Sequence, residues 1–268
     1  KELYLPVSSL RNNPPDFFRK LLEFGPDIIM SKSAVLFELA RASSGLPADK
    51  RPRAQYIISF GEALKASMRE YIRAFLGGEV YDIYGIEEAG NVAAECGRHD
   101  GFHVYEELFI VEVLDGDDKP LESGAEGRLV VTRLAGDPLP VIRYDTGDRG
   151  MIIKEPCPCG LLARRLKIIG RDGIAISFDD KKFHLAEFEH ILDGRGASIL
   201  KYQFAKTSQG IELRIVPNGT FSAEDLTGLT EQFTEKFDFS PEIKLVDEIP
   251  LLPSGKSSVF IDEAARGA

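Results

Sequence analysis

The chain reads as a mixed α/β (α+β) protein: a parallel α/β unit, then an antiparallel β subdomain, then a small α/β domain. Three observations predict this. Between residues 27 and 84, apolar runs of strand length alternate with runs of helical period. From His103 to Ile153, short strands follow one another with Asp115-Gly116 and Ser123-Gly124 as turns. After residue 170, strands and helices alternate again. The predicted boundaries are about 1–95 for the α/β unit, about 96–169 for the β subdomain and 170–268 for the closing domain.

The elements follow in order. Asp16 to Phe24 carries apolar groups at helical spacing after Pro14-Pro15, and Gly25-Pro26 stops it. Asp27 to Met30 reads as a buried strand, and Ser33 to Ala42 as an amphipathic helix capped by Ser31 or Ser33. Gln55 to Phe60 is strand-like and runs into Gly61-Glu62; Ala63 to Phe75 is a helix closed by Gly77-Gly78. Val80 to Tyr84 is a further strand, again followed by a glycine, Gly85. In open α/β sheets ligands gather outside the carboxyl ends of strands, so both Gly-plus-acid strand ends are candidate binding positions. The β subdomain holds strands at 109–114, 127–132 and 148–153. The closing domain holds strands at 174–178, 199–205, 211–216 and near 243–246, with helices at 185–192 and 223–237.

Composition narrows the function. The formal net charge of −10 argues against a main role on a phosphate backbone. No apolar run is long enough to span a bilayer, and no secretory signal opens the chain, so a cytoplasmic protein is expected. Lys1 stands where a complete chain would have Met, which predicts a missing natural beginning. Three cysteines do not make a disulfide framework, but Cys157-Pro-Cys159 is a tight thiol pair, and Cys96 opens a stretch containing His99 and His103. Three thiolates and one imidazole make a closed, structural zinc site; the bland alternative is three reduced cysteines.

The densest stretch is Arg143-Tyr144-Asp145-Thr146-Gly147-Asp148. A turn needs only Asp-Gly, so the extra groups predict a loop that holds something polar, such as vicinal hydroxyls. With Ser59-Phe-Gly-Glu62, Tyr81-Asp-Ile-Tyr-Gly-Ile-Glu-Glu88, Gly170-Arg171-Asp172 and Pro253-Ser-Gly-Lys256, it forms an ordered series. From about residue 25 to residue 262 the series resembles the adenylate-forming enzymes, and within them the phenylacetate–CoA ligase-like branch.

The resemblance implies ATP-dependent activation of a carboxylic acid, aryl or arylacetyl, through an acyl-adenylate with transfer to coenzyme A. It implies an adenine slot from Gly61, Glu62, Asp82, Ile83, Tyr84 and Gly85, with Tyr84 facing the base. Asp148 then accepts from the ribose hydroxyls and Arg171 lies near the nucleotide at a hinge flanked by Gly170 and Gly173. Glu88 helps hold magnesium, and Lys256 is the ammonium that a mobile small domain carries to the carboxylate and α-phosphate. The branch also has members with a Cys/His zinc site; its Gly-x-His pattern favours His103 over His99 beside Cys96, Cys157 and Cys159.

The chain departs from the family in four places, one of them Asp172-Gly173-Ile174, which follows Arg171 where an acid pair is usual. The Ser/Thr/Gly-rich phosphate loop expected upstream is absent, so the chain reads as the carboxyl-terminal part of a longer enzyme or a natural short form, weak in ATP binding by itself. Glu87 stands where a hydroxyl is usual, and Asp179-Asp180-Lys181 where an Arg-Gly loop is usual on the coenzyme A side. The competing readings are a non-catalytic AMP-binding member of the fold and a zinc-stabilised interaction module. The expected partners are the acid, ATP and coenzyme A, with no nucleic acid and no membrane; a homodimer is allowed.

Overall fold

The computed structural model describes residues 2–134, 140–171, 175–178, 181–193, 198–252 and 257–264. The chain packs as two compact units. One comprises Lys1–Ile57, Glu62–Val80 and Ala175–Ala268; the other comprises Ile58–Gly61 and Tyr81–Ile174. No helix among the described residues is long and apolar enough to cross a membrane.

The first unit opens with α1 (Val7–Asn12) and α2 (Pro14–Phe24). Asn13 caps α2 by accepting from the Asp16 N–H, prolines fill its first turn, and Gly25 ends it at φ 58°. β1 (Ile28–Lys32), α3 (Ser33–Ser44), β2 (Tyr56–Phe60), α4 (Ala66–Leu76) and β3 (Glu79–Ile86) then alternate, with β1, β2 and β3 side by side in that order. Each helix buries one stripe: Leu36, Phe37 and Ala40 from α3, Met68, Ile72 and Leu76 from α4. β1 corrects one expectation. Ile28 and Met30 are exposed, not buried; two residues apart, they share one face of β1, and that face lies open to solvent.

The carboxyl-terminal segment contributes a hairpin, β10 (Ala175–Phe178) with β11 (Lys181–His184), followed by α5 (Leu185–Asp193). It also forms a four-stranded sheet from β12 (Ile199–Thr207), β13 (Gly210–Pro217), β14 (Glu242–Leu245) and β15 (Phe260–Asp262), in the order β14-β13-β12-β15. α6 (Ala223–Phe237) crosses between β13 and β14 and starts at a capping box of Ser222 and Asp225. Phe188, Phe204 and Phe233 are fully buried, with Phe188 and Phe204 centroids 5.3 Å apart. Leu200, Val216 and Ile249 join the core of α3 and α4, so this segment and the amino-terminal helices share one interior.

The second unit is mainly sheet. β4 (Gly90–Glu95), β5 (Phe102–Val104), β6 (Phe109–Leu114), β7 (Gly127–Arg133), β8 (Tyr144–Ile153) and β9 (Arg165–Arg171) follow β3 in the order β3-β4-β5-β9-β8-β7-β6. The pairs β3–β4, β4–β5, β5–β9, β8–β9, β7–β8 and β6–β7 are antiparallel. Val92, Leu129, Val131 and Leu166 are fully buried at its centre. The stretch 143–148 was expected to be a loop; from Tyr144 it is the start of β8. The reason is a bulge. Arg128 pairs with Arg149 and Val130 with Asp145, so Thr146, Gly147 and Asp148 stand opposite Leu129 alone.

Candidate functional site

The bulge in β8 presents Asp148. Gly147 takes φ 70°, a conformation in which a side chain would be strained. The Thr146 hydroxyl donates to the Leu129 carbonyl at 3.0 Å and accepts the Asp148 N–H at 3.0 Å. The Gly147 N–H donates to Asp145 Oδ1 at 3.0 Å, and Arg128 holds the other Asp145 oxygen. A stretch rich in polar groups therefore spends several of them bracing its own backbone.

Asp148 itself is 7% exposed. Its Oδ2 accepts from the Tyr84 hydroxyl at 2.7 Å and its Oδ1 from Arg171 Nε at 3.1 Å. Asp148 and Arg171 are direct partners in the β8–β9 register, which brings together two motifs far apart in sequence. Burial first, and the Asp148 carboxylate second, push the Tyr84 phenol well above its usual range, so it stays a donor. The Tyr84 ring also faces Phe102, with centroids 6.3 Å apart.

The rest of the expected adenine slot lies along β3. Asp82 is buried, and its N–H donates to Glu95 Oε2 at 2.9 Å. Ile83 pairs with Ala94 and Tyr84 with Ala93 before the register shifts at Gly85. A Cβ at Gly85 would sit 2.7 Å from the Gly90 carbonyl oxygen, so only glycine lets the two strands approach this closely. Gly61 ends the β2 segment with φ 76°. Glu88 is exposed beyond β3, and its Oε1 accepts from the Tyr144 hydroxyl at 2.6 Å. That bond holds the Glu88 carboxyl below its usual range and the Tyr144 phenol above its own. The structure thus joins Tyr84, Asp148 and Arg171 in one set, and Glu88 with Tyr144 in another. Tyr144 lay inside a quoted motif but had no assigned role; its partner is 56 residues away and left no local signal.

Glu62 lies in the turn that follows β2. Its Oε2 accepts from the Ala34 N–H at 3.2 Å and the Ser33 hydroxyl at 3.3 Å, and its Oε1 accepts from the Ser257 N–H. Gly170 and Arg171, expected at a hinge, lie within β9, where Gly170 pairs with Arg149. Lys256, Asp172, Gly173, Asp179 and Asp180 lie outside the described residues.

The cysteines form a second constellation. The ligand atoms of Cys96, His103, Cys157 and Cys159 all lie within 4.8 Å of one another. Cys96 and Cys157 sulfurs are 3.7 Å apart, and Cys159 Sγ is 3.4 Å from His103 Nε2. His103 Nδ1 lies 3.1 Å from the Ala163 carbonyl oxygen, an acceptor for an Nδ1–H that leaves the Nε2 lone pair facing the sulfurs. His99 is not in the group: its Nδ1 is 3.1 Å from Glu95 Oε2 and its ring faces Tyr81. The donor set fits a tetrahedral ion, since Zn–S bonds of about 2.3 Å place sulfurs roughly 3.8 Å apart. Arg165, only 3% exposed, braces the surroundings by donating to the Asp100 carbonyl at 2.7 Å and the Glu155 carbonyl at 2.8 Å.

No family model matches. A phenylacetate-coenzyme A ligase of Escherichia coli is 31% identical over 182 residues, covering 63% of this chain and 41% of that protein. One from Thermus thermophilus is 29% identical over 161 residues, covering 58% and 36%. The chain thus spans well under half the length of the curated relatives it matches. Among crystal structures, a 2-hydroxyisobutyryl-CoA ligase in complex with R3-HIB-AMP matches with a TM-score of 0.74 at 19% identity, covering 98% of this chain and 59% of that one. An anthranilate CoA ligase in complex with anthranoyl-AMP matches with a TM-score of 0.58 at 14% identity, covering 90% and 50%. The two structures share the fold, and the curated relatives are similar in sequence over about three fifths of the chain. The chain is thus similar in sequence to phenylacetate–CoA ligases over part of its length and shares the fold of acyl-adenylate-bound CoA ligases.

Proposed function

We propose that the chain serves the ATP-dependent activation of an aryl or arylacetyl acid, through an acyl-adenylate, for transfer to coenzyme A. One observation carries this reading: Asp148, buried in the bulge of β8, is oriented by Tyr84 on one oxygen and Arg171 on the other. A carboxylate offers about four lone-pair sites, so two bonds leave room for the two hydroxyls of a ribose. The names of the relatives and the acyl-AMP ligands of the two structures support the same chemistry.

In this reading the Tyr84 ring flanks the adenine, and the backbone of Gly61 and of Asp82 to Gly85 lines its slot. Arg171 offsets the charge of Asp148 and lies close to the nucleotide. Glu88, held by Tyr144, is the residue that would ligate magnesium, a hard cation that accepts carboxylate oxygen and neutralises phosphate charge when bound. Lys256 supplies an ammonium to the reacting carboxylate and α-phosphate. Residues 1–169 act as part of an AMP-binding domain and 170–268 as its small mobile domain. Cys96, His103, Cys157 and Cys159 would hold zinc in a closed structural role.

Acid-dependent ATP–pyrophosphate exchange by the native protein tests this, with phenylacetate and benzoate as first substrates. The expected result is exchange that falls about a hundredfold or more in Lys256→Ala, the size typical of losing one charge-stabilising group. Equal rates in the two proteins would remove Lys256 from the reaction.

A further inference from the structure

The turn after β2 touches the carboxyl-terminal segment through three side chains of three chemical kinds. Glu62 accepts the Ser257 N–H on one oxygen while the other binds the first turn of α3 through Ser33 and Ala34. The Lys65 ammonium lies 3.5 Å from the centre of the Tyr202 ring on β12. The Ser67 hydroxyl, buried at the start of α4, donates to the Ile199 carbonyl at 2.6 Å. All these residues belong to one compact unit.

A side-chain carboxylate accepting a backbone N–H from 195 residues away is not needed to close a strand. Its place explains it. Ser257 forms an antiparallel bridge with Leu251, so the two stems of the stretch between them arrive side by side. That stretch contains Pro253-Ser-Gly-Lys256, and Ser257 follows Lys256 directly. Glu62 is in turn fixed by the amino end of α3, where exposed N–H groups and the helix dipole favour a carboxylate.

We infer that residues 62–67 are a docking turn for the carboxyl-terminal segment, and that Glu62 is a positioning residue that fixes Ser257, the residue following Lys256 in sequence. The inference deepens the proposed function and rests on its assignment of Lys256. Glu62 touches no reacting atom in this account. It acts through the Ser257 backbone, and Lys65 and Ser67 set the angle at which β12 meets the turn.

Hydrogen exchange read by mass spectrometry tests the contact without nucleotide or activity. In Glu62→Ala the Ser257 amide is expected to exchange about ten- to a hundredfold faster, the range for losing a hydrogen bond to a charged group. Glu62→Gln keeps one acceptor oxygen and the same shape, and is expected to recover part of the protection. It also serves as the deciding variant should Glu62→Ala not fold. Unchanged exchange at Ser257 in the folded variants would overturn the inference. The positioning role is read separately from acetylation of lysines by an amine-reactive ester. Lys256 is expected to label faster in both variants, with Lys206, Lys236 and Lys244 unchanged as internal standards. A uniform change across all four, or none, would contradict a positioning role. Neither readout depends on ATP–pyrophosphate exchange, so failure here leaves the proposed function standing, and loss of that function leaves the Glu62–Ser257 contact measurable.

Discussion

Two parts of the sheet unit make opposite use of polar residues. At the start of β9 lie the Cys96, His103, Cys157 and Cys159 side chains; at its end, roughly 20 Å away along the strand, Arg171 meets Asp148. The sulfur cluster gathers groups that repel one another once ionised, since each thiolate faces another. Its donor set and spacing fit a tetrahedral cation. The Asp148 cradle is the reverse: each carboxylate oxygen already has a donor, and the bulge is braced by Thr146 and Asp145. The first site is defined by what would fill it, and the second is built before anything arrives. Pre-organisation of the second kind lets a ligand bind without a further ordering cost.

Metal removal should separate the two parts most strongly. Native protein is expected to carry one equivalent of zinc by elemental analysis. Chelation, or Cys157→Ser, should destabilise the sheet unit by on the order of 4 kcal/mol, in line with losing a structural metal. Thermal melting with and without chelator reads the effect. Protein that carries no zinc and melts the same after chelation would reduce the cluster to three free thiols and a histidine.

A smaller effect is expected from Tyr84→Phe. It removes the donor to Asp148 but keeps the ring, so nucleotide affinity should fall by about tenfold, the size of one charge-assisted hydrogen bond. The same variant has a signature in pH. The phenol of Tyr84 is raised in the folded protein, so its contribution is fully present below the ordinary tyrosine value near about 10 and is lost as pH rises beyond it. Urea melts between neutral pH and the alkaline range should show native protein losing stability above that value, with Tyr84→Phe losing less. Parallel curves would mean that the phenol is not protected as described.

Sequence patterns revealed some of this more readily than others. α6 is recovered at its observed ends, because Leu229, Phe233 and Phe237 keep a helical period. β6 is likewise recovered at 109–114, where alternating apolar residues mark a half-buried strand. β8 was hidden over residues 144–147 because a bulge with Gly147 and two acids imitates a turn. β9 was missed for a similar reason: Gly170-Arg171 reads as a break, although both residues are paired with β8. β4 and β5 are short and rich in small or polar residues, and only pairing across the sheet makes them strands. Within the candidate sites, Asp148, Tyr84 and Arg171 were named from their motifs and do meet. The bonds from Tyr144 to Glu88 and from Ser257 to Glu62 were not foreseen, because each links groups whose proximity only the fold creates. The cysteine cluster was the most legible of all, since every cysteine in the chain takes part.

Calorimetric titration with a phenylacetyl-adenylate analogue, comparing native protein with Asp148→Ala, puts the adenosine cradle to the most direct test. Saturable heat from the native protein, with affinity weakened by about a hundredfold or more in the variant, is the predicted result for losing a buried carboxylate that accepts two hydroxyls. Equal affinity in the two proteins, or no heat from either, would contradict the cradle and the enzymatic reading built on it.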